Sequence, residues 1–204
     1  MTRVLLPLLV LTLICAGLIR ATVEFTDTRI ADNRQETVLR IIGDILPGPY
    51  NNEPLKETRD IIDAATFGSK QPVTVLTSRQ GADIQGFVFM PVIAEGYNGP
   101  VKLAVGVNRN GVLSGVRVLE QGETEGLGDA VDQYNSDWIE HFQNRSLDNT
   151  PPVLWTVRRD GGDFDQLSGA TITSRGVIQS VRKVLEYYHQ NKQRFLEREK
   201  LNAE

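Results

Sequence analysis

Four short runs of β-branched and aromatic residues in the middle of the chain limit the fold most strongly. They cover residues 73–76, 86–89, 101–107 and 112–118. Turn-forming residues separate them, and Asn108-Arg109-Asn110-Gly111 supplies an Asn-Gly hairpin turn between the last two. Strands joined by a tight hairpin run antiparallel. The chain is therefore predicted to be an α+β protein, an antiparallel sheet with flanking helices.

Helical patterns are predicted on both sides of this sheet. Before it, apolar residues recur at helical spacing from Thr26 to about Leu46, and Pro47-Gly48-Pro49 ends the pattern. After it, residues 175–197 are predicted to form an amphipathic helix, on the spacing of Val177, Val181, Val184, Leu185 and Tyr188. A further short strand is predicted at residues 153–157. Residues 50–69 are rich in turn formers and allow no assignment.

The apolar N-terminal run predicts an uncleaved, single-pass membrane anchor. Val4–Ile19 contains no charged residue and lies between Arg3 and Arg20. As a helix it would be about 24 Å long, and snorkelling arginines would extend it toward the roughly 30 Å hydrocarbon core. A cleaved signal peptide remains the alternative, although small-x-small cleavage sites are poor here. The bulky Ile14 before Cys15 disfavours a lipoprotein site, and the charges favour a domain on the outer side.

These patterns divide the chain into an anchor at residues 1–23, an amphipathic helix and connecting loop at 24–70, and an α+β domain with a C-terminal helix at 71–204. The net charge of -4 and the lack of a basic cluster argue against nucleic-acid binding. His141 and His189 have no partner at ligand spacing, which argues against a His/Cys metal site. No serine lies in a nucleophile-elbow context, which argues against a hydrolase triad. Neither catalytic nor metal-binding residues are therefore predicted.

A dense cluster of small and hydroxyl residues, Asp-Gln-Leu-Ser-Gly-Ala-Thr-Ile-Thr-Ser at residues 165–174, precedes the C-terminal helix. Asp165 or Ser168 followed by a helical pattern is a normal helix cap, because the side-chain oxygen accepts bonds from the first turn. A backbone that can be approached closely at Gly169 and Ala170, near hydroxyls and the positive end of a helix, is also a good phosphate site. Local chemistry leaves both interpretations open.

A second glycine-containing segment, Glu123-Thr124-Glu125-Gly126-Leu127-Gly128, follows the sheet and is named the acidic loop. It does not follow a parallel strand, so it is not a dinucleotide-binding fingerprint. By itself it is typical of a plain loop with a helix cap. The apolar residues behind it are expected in the core, namely Trp138, Ile139 and Phe142.

Together the anchor, the sheet, the acidic loop and Asp165-x-x-Ser168-Gly169-Ala170-Thr171 resemble the FMN-binding domain family whose flavin is esterified to a threonine. Within it the chain most resembles the G subunit of the Rnf/Rsx ion-translocating electron-transport complex, with the C subunit of the sodium-pumping NADH:quinone reductase as the near relative. The resemblance covers about Thr26 to Tyr188. The chain departs from the family's usual loop at two positions. Gln121 stands where histidine is common, and Glu125 stands where proline is common.

The resemblance implies how the cofactor is attached. The side-chain oxygen of Thr171 would bond to the FMN phosphate, installed by a separate flavin transferase that uses FAD and a divalent metal. The segment that the transferase recognises would comprise Asp165, Ser168, Gly169 and Ala170.

Physical reasoning from the residues suggests the other contacts of such a flavin. The remaining phosphate oxygens would take hydrogen bonds from the N–H groups of residues 172–174 and the hydroxyls of Ser168 or Thr173. The second wall of the site would be formed by Glu123, Thr124, Gly126, Leu127 and Gly128.

The family implies a membrane-anchored electron-transfer component of an ion-translocating oxidoreductase complex, with its domain on the periplasmic side of a bacterial inner membrane. Its partners would be the other subunits and, during maturation, the transferase. No substrate pocket is evident, so a redox component without turnover of its own is expected. The alternatives are a counterpart of the quinone reductase C subunit, a non-redox membrane-anchored binding or sensory domain, and a self-sufficient flavoenzyme.

Overall fold

The computed structural model describes the backbone of residues 2–201. Side chains are described except in residues 1–5, 7–9, 24–25, 27–36, 39 and 198–204. The chain divides into two compact units, residues 1–40 and 41–204. Helix α1 (Thr2–Gly43) makes up the first unit and continues to the start of the second.

The predicted anchor lies within α1. The described large apolar side chains of this stretch are all exposed: Leu6, Val10, Leu11, Leu13, Ile14, Leu18, Ile19 and Val23. Among the residues whose side chains are described, α1 and the other helices include no stretch long and apolar enough to cross a membrane. The anchor prediction and the amphipathic pattern of residues 26–46 depend in part on side chains outside the described residues.

A five-stranded antiparallel sheet forms the centre of the second unit, and each strand pairs with its neighbour in sequence. Its strands are β1 (Thr58–Ile61), β2 (Val73–Gln80), β3 (Asp83–Glu95), β4 (Pro100–Asn108) and β5 (Leu113–Glu120). The predicted α+β class and antiparallel sheet are confirmed. The predicted hairpin is confirmed too, since Asn108 N donates to Val112 O at 2.9 Å.

The described residues of the second unit also form two further helices and four 3₁₀ turns. The helices are α2 (Ala64–Phe67) and α3 (Thr171–Leu201), and the 3₁₀ turns are Gly128–Val131, Trp138–Phe142, Pro152–Leu154 and Arg158–Asp160. The predicted strand at residues 153–157 is wrong. Pro151 and Pro152 open a 3₁₀ turn instead, because proline cannot donate to a strand ladder, and only Val157 forms a bridge, to Phe164.

Helix α3 packs across one face of the sheet and forms the main core with it. The apolar stripe predicted from the sequence is buried throughout, namely Val177, Val181, Val184, Leu185 and Tyr188. The aromatic ring of Tyr188 lies 5.7 Å from that of Phe87 on β3 and 5.7 Å from that of Phe195. Trp138, Ile139 and Phe142 are buried in the same core, as expected.

The end of α1 and the segment after it cover the opposite face of the sheet. Ile41, Ile42 and Ile45 are buried there, and the Ser114 hydroxyl donates to Ile45 O at 2.5 Å. A Cβ built on Gly115 would lie 2.6 Å from Ile45 Cγ2, so this strand needs a glycine for the segment to approach. The second unit is thus a sheet with apolar cover on both faces.

Tyr188 makes the stability of the fold depend on pH in the alkaline range. Burial raises its pKa to about 12, and its hydroxyl donates to Arg109 O at 2.9 Å. A folded-state pKa above the unfolded value of about 10 gives stability that is complete below pH 10 and is lost as pH rises through 12. At 1.36 kcal/mol per pKa unit, a rise from about 10 to about 12 corresponds to a loss of about 3 kcal/mol. Denaturant titrations of Tyr188→Phe should show a flatter decline between these pH values.

Tyr187→Phe provides the control, since burial also raises the pKa of Tyr187 but its side chain is only partly buried. Its profile should remain close to that of the wild type. Parallel profiles for Tyr188→Phe and the wild type would contradict the assignment to Tyr188.

Candidate functional site

A tight turn leads the chain into α3. Ala170 N donates to Leu167 O at 3.1 Å, and Gly169 between them has a φ of +75°. This is the third position of the turn, where a type II turn requires a positive φ and favours glycine. A Cβ built on Gly169 would also lie 2.8 Å from Leu127 Cδ2. The Ser-Gly-Ala sequence therefore suits both the turn and its contact, and Thr171 becomes the first residue of α3.

The start of α3 carries no side-chain cap in the described part of the chain. Ala170, the residue before the helix, has no side-chain acceptor, and neither Asp165 nor Ser168 accepts a bond from the first turn. The N–H groups of residues 171–173 make no hydrogen bond to any described residue, whereas Ser174 N donates to Ala170 O at 3.0 Å. The helix-cap interpretation is therefore wrong, and these N–H groups offer a partly positive anion site.

The hydroxyls of the first turn differ in what they bind. That of Thr173 is buried, donates to Glu123 Oε2 at 2.8 Å and accepts a bond from Tyr97 N at 3.2 Å. That of Ser174 is buried and bonded to backbone groups of the preceding turn. Thr171 is half-buried, and its hydroxyl makes no hydrogen bond to any residue that the structure describes. Of the three, only Thr171 has an uncommitted oxygen.

The structure brings the acidic loop against the start of α3. Leu127, 45% exposed, reaches Gly169, and Glu123 binds the first turn of the helix through its carboxylate. Gly128 is buried behind Glu123. Thr124 and Gly126 are exposed, and no described hydrogen bond links them to residues 165–174. Two of the predicted wall residues therefore contact the predicted attachment segment directly.

Two ion pairs flank the turn. Arg158 Nη1 lies 3.1 Å from Asp165 Oδ1, and Arg175 donates from Nε and Nη2 to Asp160 at 2.6 and 2.9 Å. The hydrogen bond from Arg175 lowers the pKa of Asp160. Neither residue of this second pair was predicted. The four-residue spacing from Thr171 to Arg175 could have indicated a shared helix face, but Asp160 comes from a distant loop without a local signal.

A groove of about 640 Å³ runs beside the same helix and borders this cluster at Ile172 and Arg175. Its walls include Gly96, Gly99, Ile172, Arg175 and Lys183, and neither Thr171 nor the acidic loop lines it. The candidate site therefore consists of an open hydroxyl and open N–H groups at the border of this groove.

Comparison with known proteins supports the predicted family. A family model described as the FMN-binding domain matches residues 96–186, which include the acidic loop and the turn. The chain is similar to proteins named as the G subunit of the ion-translocating oxidoreductase complex. It is 34% identical over 188 residues to the one from Vibrio cholerae (strain ATCC 39541), covering 92% of this chain and 90% of the relative. For Pseudomonas aeruginosa (strain UCBPP-PA14) the values are 35% over 185 residues, 90% and 86%.

Proposed function

The chain belongs to the family of G subunits of the ion-translocating oxidoreductase complex, and from this premise we propose that it transfers electrons through FMN held covalently on Thr171. The match to the FMN-binding domain supports the cofactor. The names of the relatives favour this role over that of the quinone reductase C subunit, and the domain match favours it over a non-redox binding or sensory domain. The observation that carries the attachment point is the uncommitted Thr171 hydroxyl at an open helix N-terminus.

The start of α3 fits a phosphate group. The free N–H groups of residues 171–173 and the helix dipole favour negative charge at this point. Arg175 adds a positive group on the same helix face, and its Nη1 makes no hydrogen bond to a described residue. The Thr173 hydroxyl is already bonded to Glu123. We therefore assign the phosphate oxygens to the N–H groups and to exposed Ser168 rather than to Thr173.

Attachment changes one bond of the chain. Thr171 Oγ1 loses its proton and bonds to the phosphorus on the FMN side of FAD, the pyrophosphate bond breaks, and AMP leaves. The transferase and its divalent metal supply the catalysis. A phosphoester leaves the isoalloxazine ring unmodified and keeps it at a high effective concentration. Leu127 then offers an exposed apolar surface beside the attachment point.

The bound flavin would accept and pass on electrons, while the chain holds it in place. The described polar groups around Thr171 are mostly committed to each other, as in the pairs Arg158–Asp165 and Arg175–Asp160. A carrier of electrons needs no side chain that turns over a diffusible substrate, because the flavin supplies the redox chemistry. This favours a relay between partner proteins of the complex over a self-sufficient flavoenzyme.

We also propose that residues 1–23 anchor the chain in a bacterial inner membrane and that residues 71–204 form the FMN-binding domain on the periplasmic side. Residues 24–70 would connect the anchor to this domain. The uncharged run Val4–Ile19 supports the anchor. So does the exposure of the described apolar side chains in residues 6–23, because a helix that is apolar all round is typical of a membrane span. The other subunits of the complex are the expected partners.

One experiment tests the cofactor and the anchor together. The full chain is co-expressed with a flavin transferase in a bacterial host, and carbonate-washed membranes are run on a denaturing gel. We expect a fluorescent flavin band at the size of the chain, dependent on the transferase. A non-fluorescent band despite an active transferase would contradict the covalent cofactor. A fluorescent band only in the soluble fraction would contradict the anchor.

A further inference from the structure

One carboxylate joins three segments around the attachment point. Glu123 Oε1 accepts a hydrogen bond from Asn98 N at 2.9 Å, and Oε2 accepts one from the Thr173 hydroxyl at 2.8 Å. The same hydroxyl accepts a bond from Tyr97 N at 3.2 Å. Glu123 therefore connects the acidic loop, the turn between β3 and β4, and the first turn of α3.

Two glycines make room for this carboxylate. A Cβ built on Gly96 would lie 2.5 Å from Glu123 Oε1, and one built on Gly128 would collide with Oε2. Neither glycine has a positive φ, so backbone conformation does not explain them. The three atoms nearest to a Cβ on Gly128 all belong to Glu123. Gly128 thus allows the Glu123 side chain to sit where it does.

We propose that Glu123 is a positioning residue that orients the start of α3 and thereby presents the Thr171 hydroxyl to the flavin transferase. This inference rests on the proposed attachment at Thr171. Thr171 and Thr173 belong to the same rigid first turn, so holding the Thr173 hydroxyl sets the direction of Thr171. Both oxygens of Glu123 are occupied by protein donors. The positioning role of Glu123 is therefore exerted through α3.

The test is steady-state flavin transfer to the purified full chain in detergent, with FAD, Mg²⁺ and a flavin transferase. In Glu123→Gln the side-chain shape is kept but one acceptor oxygen becomes an N–H₂ donor, so either the Thr173 hydroxyl or Asn98 N loses its acceptor. We expect kcat to fall 10- to 100-fold, about the effect of misplacing a reacting group by 1 Å, while KM changes little. The matched control is Glu125→Gln, an exposed carboxylate two residues away, which should transfer flavin at the wild-type rate.

Gly128→Ala tests the same arrangement from the other side. It should lower kcat to a similar extent, because the added methyl group displaces the Glu123 carboxylate. Adding Gly128→Ala to Glu123→Ala should then cause little further loss, since the group that it displaces is already gone. Additive losses would show that Gly128 acts independently of Glu123. That result would contradict the role of Gly128 in making room for the Glu123 carboxylate.

The outcomes separate this inference from the proposed function. A flavinylated wild type together with an unchanged kcat for Glu123→Gln would overturn the positioning role. A wild type that takes up no flavin would instead overturn the attachment itself. Should Glu123→Gln fail to fold, Thr173→Val removes the same hydrogen bond from the helix side. It must then show the same loss of kcat with circular dichroism like that of the wild type.

Discussion

Thr171→Val is expected to abolish covalent flavin while leaving the protein folded. Valine keeps the branched shape of threonine, and the hydroxyl that it removes makes no hydrogen bond to a described residue. Stability should therefore change by no more than about 0.5 kcal/mol. Fluorescence on a denaturing gel should fall from that of the wild type to background, and the intact mass should equal that of the unmodified chain.

Thr171→Ser is the matched control, because it restores a hydroxyl at the same backbone position. It should regain flavin, with a lower rate because serine has more rotamer freedom than β-branched threonine. Fluorescence that persists in Thr171→Val would mean that another residue carries the flavin. The neighbouring hydroxyls would then be tested in turn, beginning with exposed Ser168.

Gly176→Val should have the largest effect on the fold. A Cβ on Gly176 would overlap the carbonyl oxygen of Glu95, a backbone atom at the end of β3 that cannot rotate away. Helix α3 would have to move off the sheet, and overpacking of this kind lowers the free energy of unfolding by about 3 kcal/mol. Denaturant titration followed by circular dichroism measures this loss. Flavin attachment should fall as well, because Thr171 lies one helical turn away.

The control is a helical glycine without such a neighbour. Nothing lies within 4 Å of a Cβ built on Gly43, at the end of α1. Gly43→Ala should leave the free energy of unfolding unchanged or raise it by up to about 1 kcal/mol, the difference in helix propensity. Equal stability of Gly176→Val and the wild type would show that the crossing of α3 over β3 tolerates a wider spacing.

Local periodicity was sufficient for most of the fold. Four of the five strands and the C-terminal helix were predicted, since each carries its own apolar pattern. Strand β1 was not, because Thr58–Ile61 holds one apolar residue and is a strand only through its pairing with β2. The false strand at residues 153–157 had the right side chains, but the prolines before it excluded a ladder.

The site was predicted in parts, but its assembly was not. The turn at residues 165–174 and the acidic loop were both identified from the sequence. Glu123 and Thr173, however, are 50 residues apart in the chain, and only the packed fold makes them partners. The same limit explains why Asp160 and Arg175 were missed.

The position of the proposed attachment point, at the first residue of α3, has a mechanical consequence. The helix that begins with Thr171 at the surface continues through the main core, where its apolar stripe is buried between the sheet and the aromatic side chains. A cofactor on this residue could move about the rotatable bonds of its own chain, its ester linkage and the threonine side chain, whereas the backbone beneath it cannot yield without unpacking the domain. Any change in the electron-tunnelling distance to a partner that exceeds the reach of this tether would then require movement of the whole domain.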